Sequence, residues 1–311
     1  MLKQEKNKIF LSIAIPTWNR YEEVVRAIES IPLVNYNDVE IIVCDNNSEK
    51  NISELLRSYC MQNPKIKFFE NDTNIGMTKN WNKALKFCSG EWISLLCSDD
   101  IFQESGFDNA YNTIQNNKNC KLIIQNPSID FSIELASGTD AAKKINLPIA
   151  SGNFWHKECI LQCGLFDERL KYSPDGEYWI RLATKFNVLM YSGQFAKYYM
   201  HSDNYMWQTW LGDDIIEQMI LIDQLINIHK KEVSNINLEQ RKWGTYLFFL
   251  FSSIGKSEQV QITNKYLPLL HKMAVTNERK FQLVKLYFLY TYRKCLPLSI
   301  RNILKRLIYN V

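Results

Sequence analysis

Apolar positions run through the first half of the chain in short unbroken blocks, and each block ends in a cluster of polar turn residues. Ile9–Ile15 is a continuous, largely β-branched run ending at Pro16, the pattern of a strand buried on both faces. Glu22–Ser30 puts Val24, Val25 and Ile28 on one helical face. Val39–Cys44 reads as a second buried strand, closed by Asp45-Asn46-Asn47-Ser48, a group of turn and cap residues. Ile52–Cys60 predicts a helix, Ile66–Phe69 a strand and Thr78–Phe87 a helix. Trp92–Leu96 predicts a strand running into Ser98-Asp99-Asp100, and Gln103–Asn116 with Leu122–Gln125 repeats the alternation. This order predicts an α/β domain, a mostly parallel sheet with helices on both faces. Residues 126–150 are irregular and read as loops or edge strands, and helical spacing returns over His156–Cys163 and Gly176–Lys185.

From about Leu211 the texture changes. Ile215, Ile216, Met219, Ile220, Ile222, Leu225 and Ile226 recur at helical spacing, and helical patterns continue to the end. The expected division is therefore a first domain over 1–210 and a mainly helical region over 211–311. No Pro- or Gly-rich linker marks the boundary, and no internal repeat is visible.

Composition narrows the class. With 46% hydrophobic and 23% charged residues over 311 positions, the chain has a globular mixture, which excludes disordered and collagen-like classes. The net charge of +4 is too small for a general nucleic-acid binder. It is also unevenly placed: Phe281–Val311 holds six bases and no acid, so the preceding residues carry −2. The N-terminus lacks the features of a signal peptide, and stretches such as Trp243–Ile254 are too short to span a bilayer. Eight scattered cysteines without a CxxC pair read as buried thiols in a reducing cytoplasm, with Cys159 and Cys163 a weak metal hint lacking partners.

The polar residues collect where an α/β sheet binds ligands, beyond the carboxyl ends of the strands. Strand one ends in Pro16-Thr17-Trp18-Asn19-Arg20, strand two in Asp45-Asn46-Asn47, and strand four in Ser98-Asp99-Asp100. Each cluster alone fits helix capping as well as binding. Adjacent carboxylates such as Asp99 and Asp100 repel, an arrangement most readily sustained by a bound cation. No GxGxxG follows strand one and no GxxxxGK[ST] occurs, which disfavours a dinucleotide site or a Walker-type phosphate loop.

These residues resemble the motifs of family 2 glycosyltransferases, which have the GT-A fold. Leu11–Arg20 is similar to the first motif, and the likeness continues through Ile41–Asn46, Asn74-Ile75-Gly76 with Asn80, and Ser89–Ile93 with Ser98-Asp99-Asp100. Gly164–Glu168 and Asp175–Leu182 are similar to the acceptor-side motif. The resemblance spans roughly residues 9–205. It implies an inverting enzyme that uses a nucleotide-diphosphate sugar, with UDP favoured, and a divalent cation, Mn or Mg. Position by position it implies Pro16, Thr17 and Asp45 at the nucleobase, and Asn19, Arg20, Asn74, Gly76 and Asn80 around the ribose and diphosphate. Asp99 falls at the ribose or metal, and Asp100 is the favoured metal ligand, with His201 a third ligand candidate. Asp175 matches the catalytic base, although helix capping is a competing role for it. Glu177, Trp179 and Arg181 fall on the acceptor side. Trp179 is a candidate for stacking on the acceptor sugar, as are Trp207 and Trp210, for which core packing fits as well. The chain departs from the family pattern at Cys97, where the first acid of the metal motif usually stands, and at Pro174, which replaces a Glu. His156, His229 and His271 show no partner pattern.

At the end of the chain Ile300, Ile303, Leu304, Leu307, Ile308 and Val311 form one apolar helical stripe, with Arg301, Lys305 and Arg306 off it. The pattern fits a helix lying on an anionic membrane, and equally one packed on preceding helices. The expected partners are a UDP-sugar and a glycan or lipid-linked glycan acceptor, without nucleic acid. The expected product is a bacterial surface polysaccharide, made in the cytoplasm or at the inner face of the cell membrane. The helical region also offers a surface for oligomerisation. Two other readings stand beside this one: a sugar-phosphate nucleotidyltransferase, which the absent Gly-rich signature disfavours, and a non-catalytic nucleotide-sugar-binding scaffold, which Asp99, Asp100 and Asp175 disfavour.

Overall fold

A computed structural model describes residues 8–145, 150–199 and 215–230. By backbone contacts the chain divides into Met1–Met200 with Gln224–Glu232, and His201–Asp223 with Val233–Val311. In the first unit, β1 (Leu11–Thr17), α1 (Glu22–Glu29), β2 (Val39–Asp45), α2 (Lys50–Cys60), β3 (Ile66–Glu70), α3 (Met77–Phe87) and β4 (Trp92–Leu95) follow the expected alternation. Next come β5 (Ile101–Phe102), α4 (Gly106–Asn116), β6 (Leu122–Gln125), β7 (Ile133–Leu135) and α5 (Thr139–Lys144). The unit continues with β8 (Phe154–His156), α6 (Lys157–Cys163), α7 (Pro174–Ala183), β9 (Val188–Tyr191) and β10 (Ala196–Lys197). A further helix runs Ile215–Lys230, and no helix of the described residues is long and apolar enough to cross a membrane. The expected boundary near 211, His201, Trp207, Trp210 and the basic tail lie outside the described residues.

The eight-stranded sheet has the order β3-β2-β1-β4-β8-β6-β9-β7. Six strands are parallel, as the helix–strand alternation requires. β8 is inserted antiparallel between β4 and β6, and β7 closes the edge antiparallel to β9. Phe154-Trp155-His156 is a strand of three residues, too short to show a period of its own beside the helical pattern that follows it.

The two faces of the sheet are set by alternation along β1 and β2. Leu11, Ile13, Ile15, Val39, Ile41 and Val43 pack in one core with Val24 and Ile28 of α1, Leu56 of α2, and Phe107 and Ile114 of α4. Ala14, Cys44, Ile93 and Leu95 belong to a second core with Trp81 and Leu85 of α3 and Tyr178, Trp179 and Leu182 of α7. Both faces are covered, which explains why these strands read as continuous apolar runs.

β1 runs through Pro16 to Thr17, two residues past the expected end. The β1–β4 ladder finishes at the Ala14–Leu95 pair, where the Leu96 N–H donates to Ala14 O at 2.9 Å. Pro16 falls beyond that point on the β4-facing side of the strand, so its missing N–H costs no ladder bond.

The motif around Ser89-Gly90 holds the opposite end of the sheet. Ser12 Oγ donates to Glu40 Oε1 at 2.6 Å and accepts the Gly90 N–H at 2.8 Å, while Ser89 donates to Glu40 Oε1 from both N and Oγ at 2.7 Å. Lys67 Nζ closes the group 2.6 Å from Glu40 Oε2. A Cβ at Gly90 would stand 2.7 Å from Ser12 N, so this approach requires glycine. Burial pushes the Glu40 carboxyl up, but the bonds from Lys67, Ser12 and Ser89 outweigh it and hold the group below its ordinary value.

Candidate active site

The carboxyl ends of β1, β2 and β4 form one polar edge. At β1, Thr17 is buried and its hydroxyl faces Arg20 O at 3.5 Å. Asn19 adopts a left-handed backbone, φ 51°, which asparagine tolerates better than most residues. Its N–H donates to Ser48 Oγ at 2.7 Å, and its Oδ1 accepts the Glu49 N–H at 2.7 Å, so the loop after β1 is tied to the loop after β2. Trp18, next to Asn19 in the chain, has its side chain in the open, 51% exposed. Arg20 Nη1 lies 2.7 Å from Asp99 Oδ2 and 3.4 Å from Ser98 Oγ.

Asp45, expected at the nucleobase, is fully buried, and Ser48 donates to it from both its hydroxyl and its N–H. It caps the turn that leads into α2. Burial raises its carboxyl against the lowering effect of the Ser48 bonds.

Asn80 is likewise 3% exposed. Its Nδ2 donates to Cys44 O at 3.0 Å and its Oδ1 accepts from Asn71 Nδ2 at 2.9 Å. Asn46 Oδ1 accepts from Asn71 Nδ2 and the Ile75 N–H, and Asn46 Nδ2 donates to Asn74 Oδ1 at 2.9 Å. Asn74 Oδ1 also accepts the Gly76 N–H at 3.0 Å. Four asparagines thus build the loop between β3 and α3. Gly76 turns the chain into the helix at φ 84°, a backbone that side chains beyond glycine strain to adopt. The family resemblance implies Asn74, Gly76 and Asn80 around the ribose and diphosphate; in the structure the polar groups of these residues shape the loop.

Asp99 and Asp100 follow β4 and are treated differently by their surroundings. Asp99 carries the Arg20 pair. Asp100 is 1% exposed; Ser151 Oγ donates to its Oδ2 at 2.5 Å and the Tyr199 N–H to its Oδ1 at 3.1 Å. Burial, with the charge of Asp99 added, pushes Asp100 up to about 7. Ser151 Oγ also accepts the Cys97 N–H at 2.9 Å. The segment that carries Ser151 is clamped by Gln125, whose Nε2 donates to Ser151 O at 2.9 Å and to Ala196 O at 3.2 Å. Ser151 and Gln125 were missed by motif reading because the residues they bond at this edge lie far from them in the chain.

Cys97 explains its own departure from the family pattern. Burial first, then the charges of Asp100, Asp99 and Asp175, drive its thiol far above the ordinary value, so it stays neutral. An acid at this position would add a further negative charge close to Asp99 and Asp100, two and three residues on.

On the acceptor side, Pro174 opens α7 at a position where the missing N–H is harmless. Asp175 follows in the first turn and is partly exposed. Burial lifts its carboxyl to about 6, against backbone N–H bonds from Gly176 and Asp175 itself. It is therefore a helix-terminal carboxylate that is not closed off from solvent.

The other acceptor-side expectations are corrected. Trp179 is fully buried among Trp155, Phe166 and Tyr178, so its ring is core and not a sugar platform. Glu177 is 2% exposed and accepts from Arg181 Nε at 2.7 Å; His229 Nε2 lies 2.8 Å from the same Oε1. Burial pushes Glu177 up, but His229 and Arg181 more than offset it, leaving the group below its ordinary value. Arg181 also donates to Cys163 O and to Leu165 O, bracing the loop that precedes α7. His229, without a partner pattern in the sequence, thus gains one through the fold.

Among the described residues no cluster of three or more His, Cys, Asp or Glu is placed to hold a metal ion. Asp99 and Asp100 are adjacent oxygen donors with a raised carboxyl between them, which fits a hard divalent ion held by one or two carboxylates and completed by substrate phosphates. Cys159 and Cys163 share α6 as expected, and burial raises both thiols.

Comparison with known proteins bears on this edge. The profile of glycosyl transferase family 2 matches residues 12–146. The uncharacterized glycosyltransferase MJ1057 of Methanocaldococcus jannaschii is 28% identical over 202 residues, covering 60% of this chain and 69% of its own length. Against several other curated relatives the match spans about a third of their length. Among solved structures, S. aureus TarS 1-349 in complex with UDP-GlcNAc superposes with a TM-score of 0.56 at 16% identity, covering 97% of this chain and 91% of that one. The mannosyltransferase PcManGT from Pyrobaculum calidifontis, in complex with GDP-Man and Mn2+, gives 0.53 at 12% identity, covering 91% and 87%. At these identities the likeness is one of fold, and it agrees with the expected GT-A architecture. Residues 12–146 of this chain therefore carry the sequence pattern of glycosyl transferase family 2.

Proposed function

We propose that this chain transfers one sugar, with inversion, from a nucleotide-diphosphate sugar to a hydroxyl of a growing glycan. The observation that carries the reading is the Arg20–Asp99 ion pair beside the buried Asp100 at the carboxyl edge of the sheet. Arg20, Asp99 and Asp100 lie in the segment that matches a glycosyltransferase family, and Asp175 opens α7 on the acceptor side.

The chemistry follows from their states. Asp175, with a value of about 6, is ionised at neutral pH and accepts the proton of the acceptor hydroxyl as its oxygen attacks the anomeric carbon. Backbone N–H groups of the first turn of α7 hold that carboxylate in orientation. The leaving nucleoside diphosphate departs from the opposite face of the sugar, so configuration inverts. Arg20 supplies a positive charge beside the departing phosphates, and Trp18 offers an open indole face for a ring of the substrate. Asp100 and Asp99 are the residues that would hold Mn or Mg, which when bound stabilises negative charge on the diphosphate. UDP is the favoured carrier, in keeping with the UDP-GlcNAc complex of TarS, and a divalent cation agrees with the Mn2+ of PcManGT.

A lipid-linked or surface glycan is the proposed acceptor, and the basic end of the chain the proposed contact with an anionic membrane, outside the described residues. A screen of nucleotide sugars, varying base and sugar with Mn or Mg, tests the reading. Metal-stimulated hydrolysis or transfer from one donor is expected; no turnover and no nucleotide binding by any of them would overturn it.

A further inference from the structure

α3 presents three lysines on one face. Lys79, Lys83 and Lys86 fall at i, i+4 and i+7 and span roughly 10 Å along the axis. Lys79 and Lys86 are exposed and Lys83 is half-buried, and none of the three has a carboxylate partner among the described residues. Together with Asn74, Ile75, Phe87 and Glu168 they line a groove of about 630 Å³. Glu168 is its one acid, and that side chain accepts from Asn82 Nδ2 at 3.2 Å.

This arrangement gives the helix little, because only Lys86, in the last turn, is favoured by the helix dipole. Like charges at i and i+4 repel, and Lys79 lies in the first turn, where the helix dipole disfavours a cation. α3 contains no acid to balance them. The face is also a local exception, since residues 1–280 carry a net −2. A row of cations held against its own repulsion, without a carboxylate partner among the described residues, calls for an anion from outside.

The walls of the groove say which anion. One wall is the loop of Asn74 and Ile75, at the same strand edge as Arg20 and Asp99. The other is the loop of Glu168, which leads into α7 and Asp175 and is bound to α3 by Asn82 Oδ1, accepting the Phe166 N–H at 3.0 Å. The groove therefore runs beside the acceptor-side elements. We propose that it binds the acceptor itself, a glycan strand bearing phosphate or carboxylate groups, with Lys79, Lys83 and Lys86 reading the repeated charge. The inference rests on the transferase reading above and names the chemical class of its acceptor.

The test uses the full chain and labelled inorganic polyphosphate as probe, with neutral dextran, phosphatidylglycerol vesicles and UDP as parallel ligands. The variant K79Q/K83Q/K86Q is compared with K118Q/K143Q/K144Q, three exposed lysines removed elsewhere. Polyphosphate binding by the first variant should weaken roughly tenfold or more, with a log–log salt slope shallower by about 2, while the second variant matches wild type. UDP affinity should be the same in all three. Equal losses in both variants, a loss confined to vesicles, or a parallel loss of UDP affinity would each overturn the proposal. Failure of wild type to bind UDP would instead strike at the donor reading and leave the polyphosphate comparison intact.

Discussion

Ser151 donates its hydroxyl to Asp100 at 2.5 Å while accepting the Cys97 N–H at 2.9 Å, so one buried serine fixes both the proposed metal-binding carboxylate and the backbone two residues before Asp99. Ser151→Ala leaves a buried N–H without its partner and a carboxylate short of a donor. A loss of about 1–3 kcal/mol is expected in urea unfolding, together with reduced turnover at fixed metal concentration. Unchanged stability and turnover would show that Ser151 is incidental to the site.

Arg20 and Asp100 should separate donor affinity from chemistry. Arg20→Met removes the cation beside the diphosphate and should weaken nucleotide-sugar binding by about 1.5–3 kcal/mol, read by calorimetry. Asp100→Asn keeps the shape and the Ser151 contact but removes the charge, so nucleotide binding should lose its response to Mn or Mg. Binding that responds to chelation as wild type does would remove Asp100 from the metal role.

Asp175 sets the acid limb of the pH profile. Its value is raised to about 6, so the group is protonated below that pH and ionised above it. A base must be ionised, so the rate of transfer should fall about tenfold per unit as pH drops below 6. Asp175→Asn should cost roughly a hundred- to ten-thousand-fold in turnover and leave nucleotide binding intact. Near-normal turnover in that variant would make Asp175 a helix cap only.

The Glu177 pair with Arg181 and His229 is a matter of stability. Its folded value lies below the ordinary carboxylate range, so it contributes stability above about pH 4.5 that is lost as pH falls through the lowered value. Glu177→Ala leaves the half-buried Arg181 with only the Cys163 and Leu165 carbonyls and should cost about 2–4 kcal/mol at neutral pH, and it should flatten the acid decline. His229→Ala should cost less, because Arg181 still pairs with Glu177 at 2.7 Å. Both are checked by thermal unfolding across pH.

Gly90→Ala drives a Cβ into Ser12 N at 2.7 Å and Ser12 Oγ at 2.8 Å, at the end of the sheet far from Asp99. A destabilisation of about 1–3 kcal/mol is expected, with kcat and KM of the folded fraction unchanged. A change in KM alone would place the Ser89-Gly90 segment in the site.

The sequence by itself determined β1 to β4, β6, α1 to α4, α6 and α7, and the polar edge beyond the first strands. Both are local properties: an apolar run with a polar cluster after it is a strand and its carboxyl end wherever the rest of the chain lies. It also marked Asp99, Asp100, Arg20 and Asp175 by residue type. Only the tertiary structure decided what each polar group faces. It turned Asp45 to Ser48, spent Asn74 and Asn80 on the loop before α3, sank Trp179 into the core, and gave Glu177 a partner 52 residues away in His229. It inserted Phe154–His156 between β4 and β6, and so brought Ser151 under Asp100. Helical and strand periods say which side of an element is apolar, but the partner of a buried polar atom is chosen by packing between elements far apart in the chain.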